Sequence, residues 1–328
     1  MTSEPAVPAP YQDRKTALIV FGVFELLLAL LLAAITLLSV VTLLAVRAKS
    51  AGGPTVALWS VLVLAGMAVA AAWLGIGTIL ARRWARALNL CLGWIWLVCG
   101  LLGSLSLVWI LPEFDRSMRL TAAQSGQHLT EGMMLAMKSS MIGMVLVMYV
   151  VIPSALVLFF RAENVRRTCE ARDPVRRWTD ACPLRVLGLV LLFGVGTLSV
   201  ALLSPLYGRA LPVFGHVLSG TPAILVLLAF AALSAWIACG LYRLKRSAYF
   251  TALGVVLLGG LNTFISFYGS NLIAYYEKLG LGRDELRAIE SSAASSAAVA
   301  WLGAFGCFVL LCYLAWLHPV FGAAKTEK

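Results

Sequence analysis

The residues able to do chemistry in this sequence fall into two sets. The first lies inside apolar runs. Glu25 is the only acid well inside such a run, and Asn89 and Asn262 lie near or within two others. A charged side chain placed in lipid costs about 2.5–3.5 kcal/mol on insertion scales. Glu25 is therefore expected to face other helices, to be protonated, or to pair. Its functional reading is a proton or cation site. Its structural reading is a hydrogen bond to a neighbouring helix, or a shallower position near headgroups. Asn in such runs more often glues helices than binds ligands. Glu25, Asn89 and Asn262 together form the candidate intramembrane polar site.

The second set lies in one polar loop: Arg166, Arg167, Cys169, Asp173, Arg176, Arg177, Trp178, Asp180 and Cys182. Two cysteines near carboxylates raise the question of a metal, but structural zinc normally takes four ligands, mostly Cys or His. This loop has two Cys and no His, so no metal is assigned. Asp173 before Pro174 reads as a helix N-cap followed by Pro at the first helical position, and Asp180 with Pro183 reads as the start of the following span. Trp178 is expected at headgroup level. The arginines also offer a docking surface for a protein partner or for anionic headgroups.

No catalytic residue and no cofactor is assigned. His128, His216 and His318 are the only histidines, each outside span centres. The sequence has no H-E-x-x-H, no P-loop and no nucleophile elbow. Cys91, Cys99, Cys239, Cys307 and Cys312 lie in apolar runs, where cysteine packs as a small apolar residue. Gly100/Gly103 and Gly259-Gly260 permit close helix approach, and Pro153 and Pro205 are expected to kink or end helices.

These residues must be positioned by helices in a membrane. The chain is 61% hydrophobic and 12% charged, with mean hydropathy +0.91. Soluble domains carry about 25% charged residues. The apolar runs reach the ~18–20 residues needed to cross a bilayer, and long uncharged runs rich in Leu, Ala and Gly mean helices rather than barrel strands. The fold class is thus all-α: a polytopic transmembrane bundle of about eight spans in two similar four-helix units. Candidate spans are 16–46, 55–81, 87–111, 139–161, 184–206, 221–242, 248–272 and 297–317. A disordered tail, 1–15, precedes the first unit, 16–161. A linker, 162–183, joins it to the second unit, 184–320, and a short tail, 321–328, follows. The polar N-terminus is unlike a signal peptide, so the first span is expected to be retained. Segments 112–138 and 273–296 read as connectors with amphipathic character, the second with a helical pattern around 284–290.

The net charge is +11. With both termini inside, seventeen Lys and Arg fall in cytoplasmic segments and nine on the other side, which satisfies the positive-inside rule. That rule explains the basicity, and no nucleic acid is expected. The halves also echo each other. Trp73, Gly77, Arg82, Arg83 and Ala85 recur as Trp236, Gly240, Lys245, Arg246 and Ala248 at the same spacings. A duplicated unit with an even number of spans keeps one orientation, so a relating axis would run along the membrane normal.

The loop pattern V-x-x-T-C-E-x-x-D-P-x-x-x-W-T-D-x-C-P is carried by Val165, Thr168, Cys169, Glu170, Asp173, Pro174, Trp178, Thr179, Asp180, Cys182 and Pro183. It resembles a group of uncharacterised bacterial multi-pass inner-membrane proteins. The resemblance implies architecture and a bacterial inner membrane, and no activity. The sequence is read as a non-enzymatic integral membrane protein: an accessory, scaffold or sensor component in contact with anionic headgroups on the cytoplasmic side. The alternative is a small-molecule or ion transporter or channel with its path between the halves.

Overall fold

The structure, a computed structural model, describes residues 11–47, 55–124, 130–207, 211–268 and 294–323. The expected helix around 284–290, most of the 273–296 connector and His128 lie outside them. Among the described residues, eight helical stretches are long and apolar enough to cross a membrane: Lys15–Leu44, Val61–Ile79, Arg83–Leu105, Glu131–Arg161, Leu184–Leu202, Thr221–Tyr242, Arg246–Phe267 and Ala300–Gly322. Each overlaps one span expected from the sequence. The protein is an all-α polytopic membrane chain. Leu27, Leu30, Leu37 and Leu38 stand more than half exposed on the first helix. Such a stripe would aggregate in water and suits lipid. Hydroxyls there turn inward: Thr36, Ser39 and Thr42 donate to carbonyls four residues back at 2.7–2.8 Å.

The chain divides into two compact units, Met1–Gly93 with Ala155–Leu184, and Trp94–Ser154 with Arg185–Lys328. The first is built on α1 (Lys15–Arg47) and α2 (Thr55–Ile79), packed side by side, with the start of α3 (Arg83–Leu105) folded back against them. Gly22 and Gly75 face each other where α1 meets α2. A Cβ on Gly22 would come within 2.8 Å of the Gly75 carbonyl, and one on Gly75 within 3.0 Å of the Gly22 carbonyl. The absence of both side chains sets the spacing of the pair. Around this crossing Leu18, Ala81, Leu90, Val157, Phe160, Val165 and Cys169 form a buried core, and Phe21 stacks on Phe159 at 4.0 Å. The core draws in the end of α6 (Ile152–Arg161) and α7 (Glu163–Arg172).

The second unit holds the rest of α3, α4 (Leu107–Gln124), α5 (Glu131–Leu146), α8 (Leu184–Tyr207), α9 (Thr221–Tyr242), α10 (Arg246–Phe267) and α11 (Ala294–Ala323). Between α5 and α6 the helix widens into a π turn, Val147–Val151, with the Ile152 N–H bonding to the Val147 carbonyl. Pro153 explains it. Proline has no N–H for the Tyr149 carbonyl and its ring crowds that oxygen. The Tyr149 carbonyl lies against Gly100, where a Cβ could not fit. Gly260 meets Cys307 in a similar way, whereas Gly103 and Gly259 face open space. Pro205 lies in the last turn of α8. Tyr249 on α10 donates to the Leu314 carbonyl at 3.0 Å, and Arg246 caps the end of α11 through the Phe321 and Gly322 carbonyls at 2.7 and 2.6 Å.

The α2–α3 and α9–α10 turns share one backbone geometry. Ala81 and Leu244 have φ of 51° and 53°. Arg82 N–H bonds to the Gly77 carbonyl and Lys245 N–H to the Gly240 carbonyl, both at 2.9 Å. Ala81 and Leu244 N–H bond three residues back to Thr78 and Leu241. This is a Schellman ending with a non-glycine in the left-handed position. Gly77 packs under Trp84 and Ala85, and Gly240 under Ala248.

Gly100→Ala is expected to destabilise the protein by about 1–3 kcal/mol through overpacking on the Tyr149 carbonyl. Gly103→Ala, on the open side, is expected to be neutral or stabilising by up to ~1 kcal/mol from helix propensity. Thermal unfolding midpoints of the detergent-solubilised variants distinguish the two.

Candidate functional site

The first site is a buried polar chain in the first unit. Glu25 lies ten residues after Lys15, about 15 Å along α1, and is 8% exposed. It sits one turn after Gly22, and Thr78 sits one turn after Gly75. The glycine crossing therefore brings these side chains together: Thr78 Oγ1 is 2.9 Å from Glu25 Oε2. Asn89, on the second turn of α3, donates from Nδ2 to Thr78 Oγ1 at 2.9 Å. All three are buried. Glu25 Oε1 is buried with no hydrogen-bond partner among the described residues.

Counting hydrogens shows what this chain can do. The Thr78 hydroxyl has one proton, yet two acceptors lie in reach: Glu25 Oε2, and the Leu74 carbonyl at 3.0 Å. With Glu25 ionised, Thr78 donates to the carboxylate. With Glu25 protonated on Oε2, the carboxyl donates to Thr78, whose proton turns to Leu74. Asn89 donates to Thr78 in both cases. Both protonation states are thus hydrogen-bonded: when Glu25 gains a proton from its surroundings or returns it, a rotation of the Thr78 hydroxyl keeps the chain bonded.

Asn262 serves elsewhere. In the second unit its Oδ1 accepts from the Phe214 N–H at 2.6 Å and its Nδ2 donates to the Pro212 carbonyl at 3.3 Å. It holds a small hairpin, β1 (Leu211–Val213) and β2 (His216–Leu218), whose two-residue turn has positive φ at Phe214 and Gly215. No local signal marks this hairpin, because Phe-Gly is not a usual turn pair.

The second site is the loop, which is folded onto the first unit. Within α7, Glu163 pairs with Arg166 at 2.8 Å and Arg167 at 3.0 Å. Residues preceding α1 strap across α7: Arg14 N–H donates to Thr168 Oγ1 at 3.0 Å and Asp13 pairs with Arg172 at 2.7 Å. Asp173 was expected to cap a helix starting at Pro174, and this is corrected. It ends α7 instead, and its buried carboxylate accepts from Arg177 Nη2 at 3.0 Å, from Arg82 Nη1 at 3.5 Å and from the Arg83 N–H at 3.3 Å. It therefore caps the start of α3 from across the fold, because donors from Arg177, Arg82 and Arg83 converge there and a local helix would forfeit them. Asp180 is also corrected: it accepts from the Arg177 N–H at 2.9 Å and closes a short 3-10 turn, Trp178–Asp180, while α8 begins at Leu184. Burial raises the Asp173 pKa, but the hydrogen bonds from Arg177 and Arg83, with the charges of Arg177 and Arg82, outweigh it and hold the carboxyl below its ordinary value.

Cys169 and Cys182 are buried, and burial pushes both thiols up to about 11. Protonated thiols are poor nucleophiles and poor metal ligands. Among the described residues no group of three or more His, Cys, Asp or Glu is placed to hold a metal ion. Both cysteines border a cavity of about 170 Å³, which also meets Arg83, Arg86, Arg166 and Thr179. Arg176 is exposed, and the Trp178 side chain is 46% exposed.

Thr78 and Arg86 are not singled out by the sequence, and Thr179 only as part of the loop pattern. A signal for the first existed: where the second half has Leu241 and Ala252, both fully buried, the first has Thr78 and Asn89. No family model, curated protein or solved structure matches the chain.

Asp173→Asn is expected to cost about 1–2 kcal/mol at pH 7. That is less than the 3–5 of a fully buried pair, because Arg82 and Arg177 are more than a third exposed and screened. A carboxyl with a depressed folded pKa contributes stability above its unfolded pKa and loses it as pH falls through the folded one. The difference in thermal midpoint between wild type and Asp173→Asn should therefore shrink as pH falls below the ordinary aspartate range.

Proposed function

We propose that this chain is a non-enzymatic integral protein of a bacterial inner membrane that works as a sensor or scaffold component, with both termini in the cytoplasm. The observation that carries the reading is the hydrogen-bond chain Glu25–Thr78–Asn89, placed on three helices and able to satisfy two protonation states. Thr78 belongs to the turn that ends α2: its carbonyl accepts from Ala81, and Arg82 follows and grips Asp173. A proton arriving at Glu25 thereby acts on the same turn that fastens the loop. The loop then serves as the cytoplasmic platform, where exposed Arg176 and Trp178 meet a protein partner or anionic headgroups.

Supporting the placement, Lys and Arg are enriched on the side assigned to the cytoplasm. The loop resemblance to bacterial multi-pass inner-membrane proteins points the same way. The shared geometry of the two Schellman turns supports descent of the halves from one duplicated four-helix unit. Chemistry is assigned to proton movement rather than bond breaking, because no nucleophile and base are paired in either site.

A second reading is favoured by one atom. The unpartnered, buried Oε1 of Glu25 offers a place for a proton or cation in transit, so transport of a small molecule or ion is the alternative.

In the wild type, a pH step should change Trp178 fluorescence, and infrared difference spectra should show a titrating buried carboxyl. In Glu25→Gln both signals should disappear while helix content is kept. An unchanged fluorescence response in Glu25→Gln would rule out the sensing role. Proteoliposome flux separates the alternative: transport predicts a pH-dependent flux that Glu25→Gln abolishes, and unchanged flux removes Glu25 from any pathway.

A further inference from the structure

The cavity bordered by α3, α7 and the 3-10 turn is lined by three arginines and two carboxylates, and two buried donors on its wall have no partner among the described residues. Arg83 and Arg86 stand three residues apart in the first turn of α3, hence on one face. Arg166 comes from α7, where Glu163 already pairs with it at 2.8 Å. Facing them are two carboxylates, Glu170 and Asp180. Glu170 lies 3.6 Å from Arg83 and 3.8 Å from Arg166, and Asp180 lies 3.9 Å from Arg83. All three contacts are beyond hydrogen-bond length. Arg86 has no carboxylate within ion-pair distance among the described residues, and its Nε is buried without a partner. Neither Arg83 nor Arg86 makes a side-chain hydrogen bond among those residues. Thr179 is 2% exposed, borders the same cavity, and its hydroxyl is also unpartnered.

Two independent orphans, a guanidinium and a hydroxyl, thus converge on one space. Buried donors left unpaired are costly, and guanidiniums in this arrangement match an oxyanion that can accept several hydrogen bonds at once. A metal cation would meet three arginines and two protonated thiols. A neutral ligand would leave the charge uncompensated.

We infer that this cavity binds a phosphoryl group, held by Arg83, Arg86 and the Thr179 hydroxyl, with Arg166 at its edge. The volume of about 170 Å³ admits a phosphate and accompanying waters. The group can belong to free phosphate or to a lipid headgroup, since the cavity lies where α3 enters its span. The inference is independent of Glu25.

The test uses the full-length protein in detergent, with the thermal midpoint as readout. The probes are inorganic phosphate, sodium chloride at matched ionic strength, and phosphatidic acid against phosphatidylcholine. The expected result is a midpoint raised by phosphate or phosphatidic acid and not by the controls. Arg86→Gln and Thr179→Val should weaken the response at least tenfold, and Arg243→Gln, exposed and outside the cavity, should keep it. A response to phosphate alone assigns a soluble ligand; a response confined to phosphatidic acid assigns the headgroup. No response to either probe, or equal responses in wild type and Arg86→Gln, overturns the proposal. Should Arg86→Gln not fold, alkylation of Cys169 in the wild type, followed by peptide mass spectrometry, decides. Slowing by either phosphoryl probe supports the site, and an unchanged rate with both overturns it.

Discussion

The meeting of Gly22 with Gly75 governs the arrangement of the first unit. Lipid offers no hydrogen-bond partner, so a carboxyl ten residues into α1 requires one from another helix. Two glycines in register let the α1 and α2 backbones approach until a Cβ on either would strike the opposite carbonyl. The same approach seats Glu25 against Gly75, from where its carboxyl reaches Thr78 at 2.9 Å. A side chain at either glycine would push the helices apart and leave the carboxyl stranded. The Schellman ending of α2 then sends the chain back, and the second turn of α3 delivers Asn89 to the same hydroxyl. Helix spacing, turn geometry and polar satisfaction are one constraint seen at three levels.

The loop obeys a different balance. Asp173 is buried, but the arginines that hold it are more than a third exposed, so water and salt weaken their grip. Such a latch ties Asp173 to the turn that carries Arg82 while leaving both arginines open to water. The neighbouring cavity shows the opposite imbalance. There the guanidiniums are held by helix α3 and the ion pairs are stretched, so positive charge is placed by the backbone rather than neutralised by partners. Order in the loop comes from Asp173; among the described residues the unmet donors there are Arg86 Nε and the Thr179 hydroxyl.

The spans were legible because lipid imposes a length and an absence of charge that few other structures share. Glu25 and Asn89 were legible as polar residues out of place, but their partner was not. Thr78 reads like Thr36 and Thr42, which bond only to their own helix, and nothing local distinguishes a threonine that also meets a carboxyl 53 residues away. Asp173 was misread for a related reason. Asp followed by Pro is a good local N-cap, but the rule counts only neighbours in sequence, and here Arg82 and the Arg83 N–H arrive from 90 residues off. Asn262 was recognisable as polar; the hairpin it holds was hidden by an unusual Phe-Gly turn. In each case the missing information was a long-range partner.

The second half supplies an internal control on the first. Its turn has the same positive φ, the same pair of backbone bonds and the same glycine under an alanine. It forms with Leu241 and Ala252 where the first half has Thr78 and Asn89, and with Tyr249 where the first half has Arg86. Those three are buried, and Tyr249 finds a carbonyl partner. The turn and its packing therefore need no hydroxyl, amide or guanidinium at these positions. Apolar replacements for buried polar groups are often neutral or stabilising, so fold stability gives no reason for the polar set. What the polar set adds is a carboxyl that can change its proton without losing its hydrogen bond, beside a loop that holds unpaired positive charge. Both additions lie in the same unit, on either side of the turn that carries Arg82 and Arg83, which is where a response to the membrane would have to be read out.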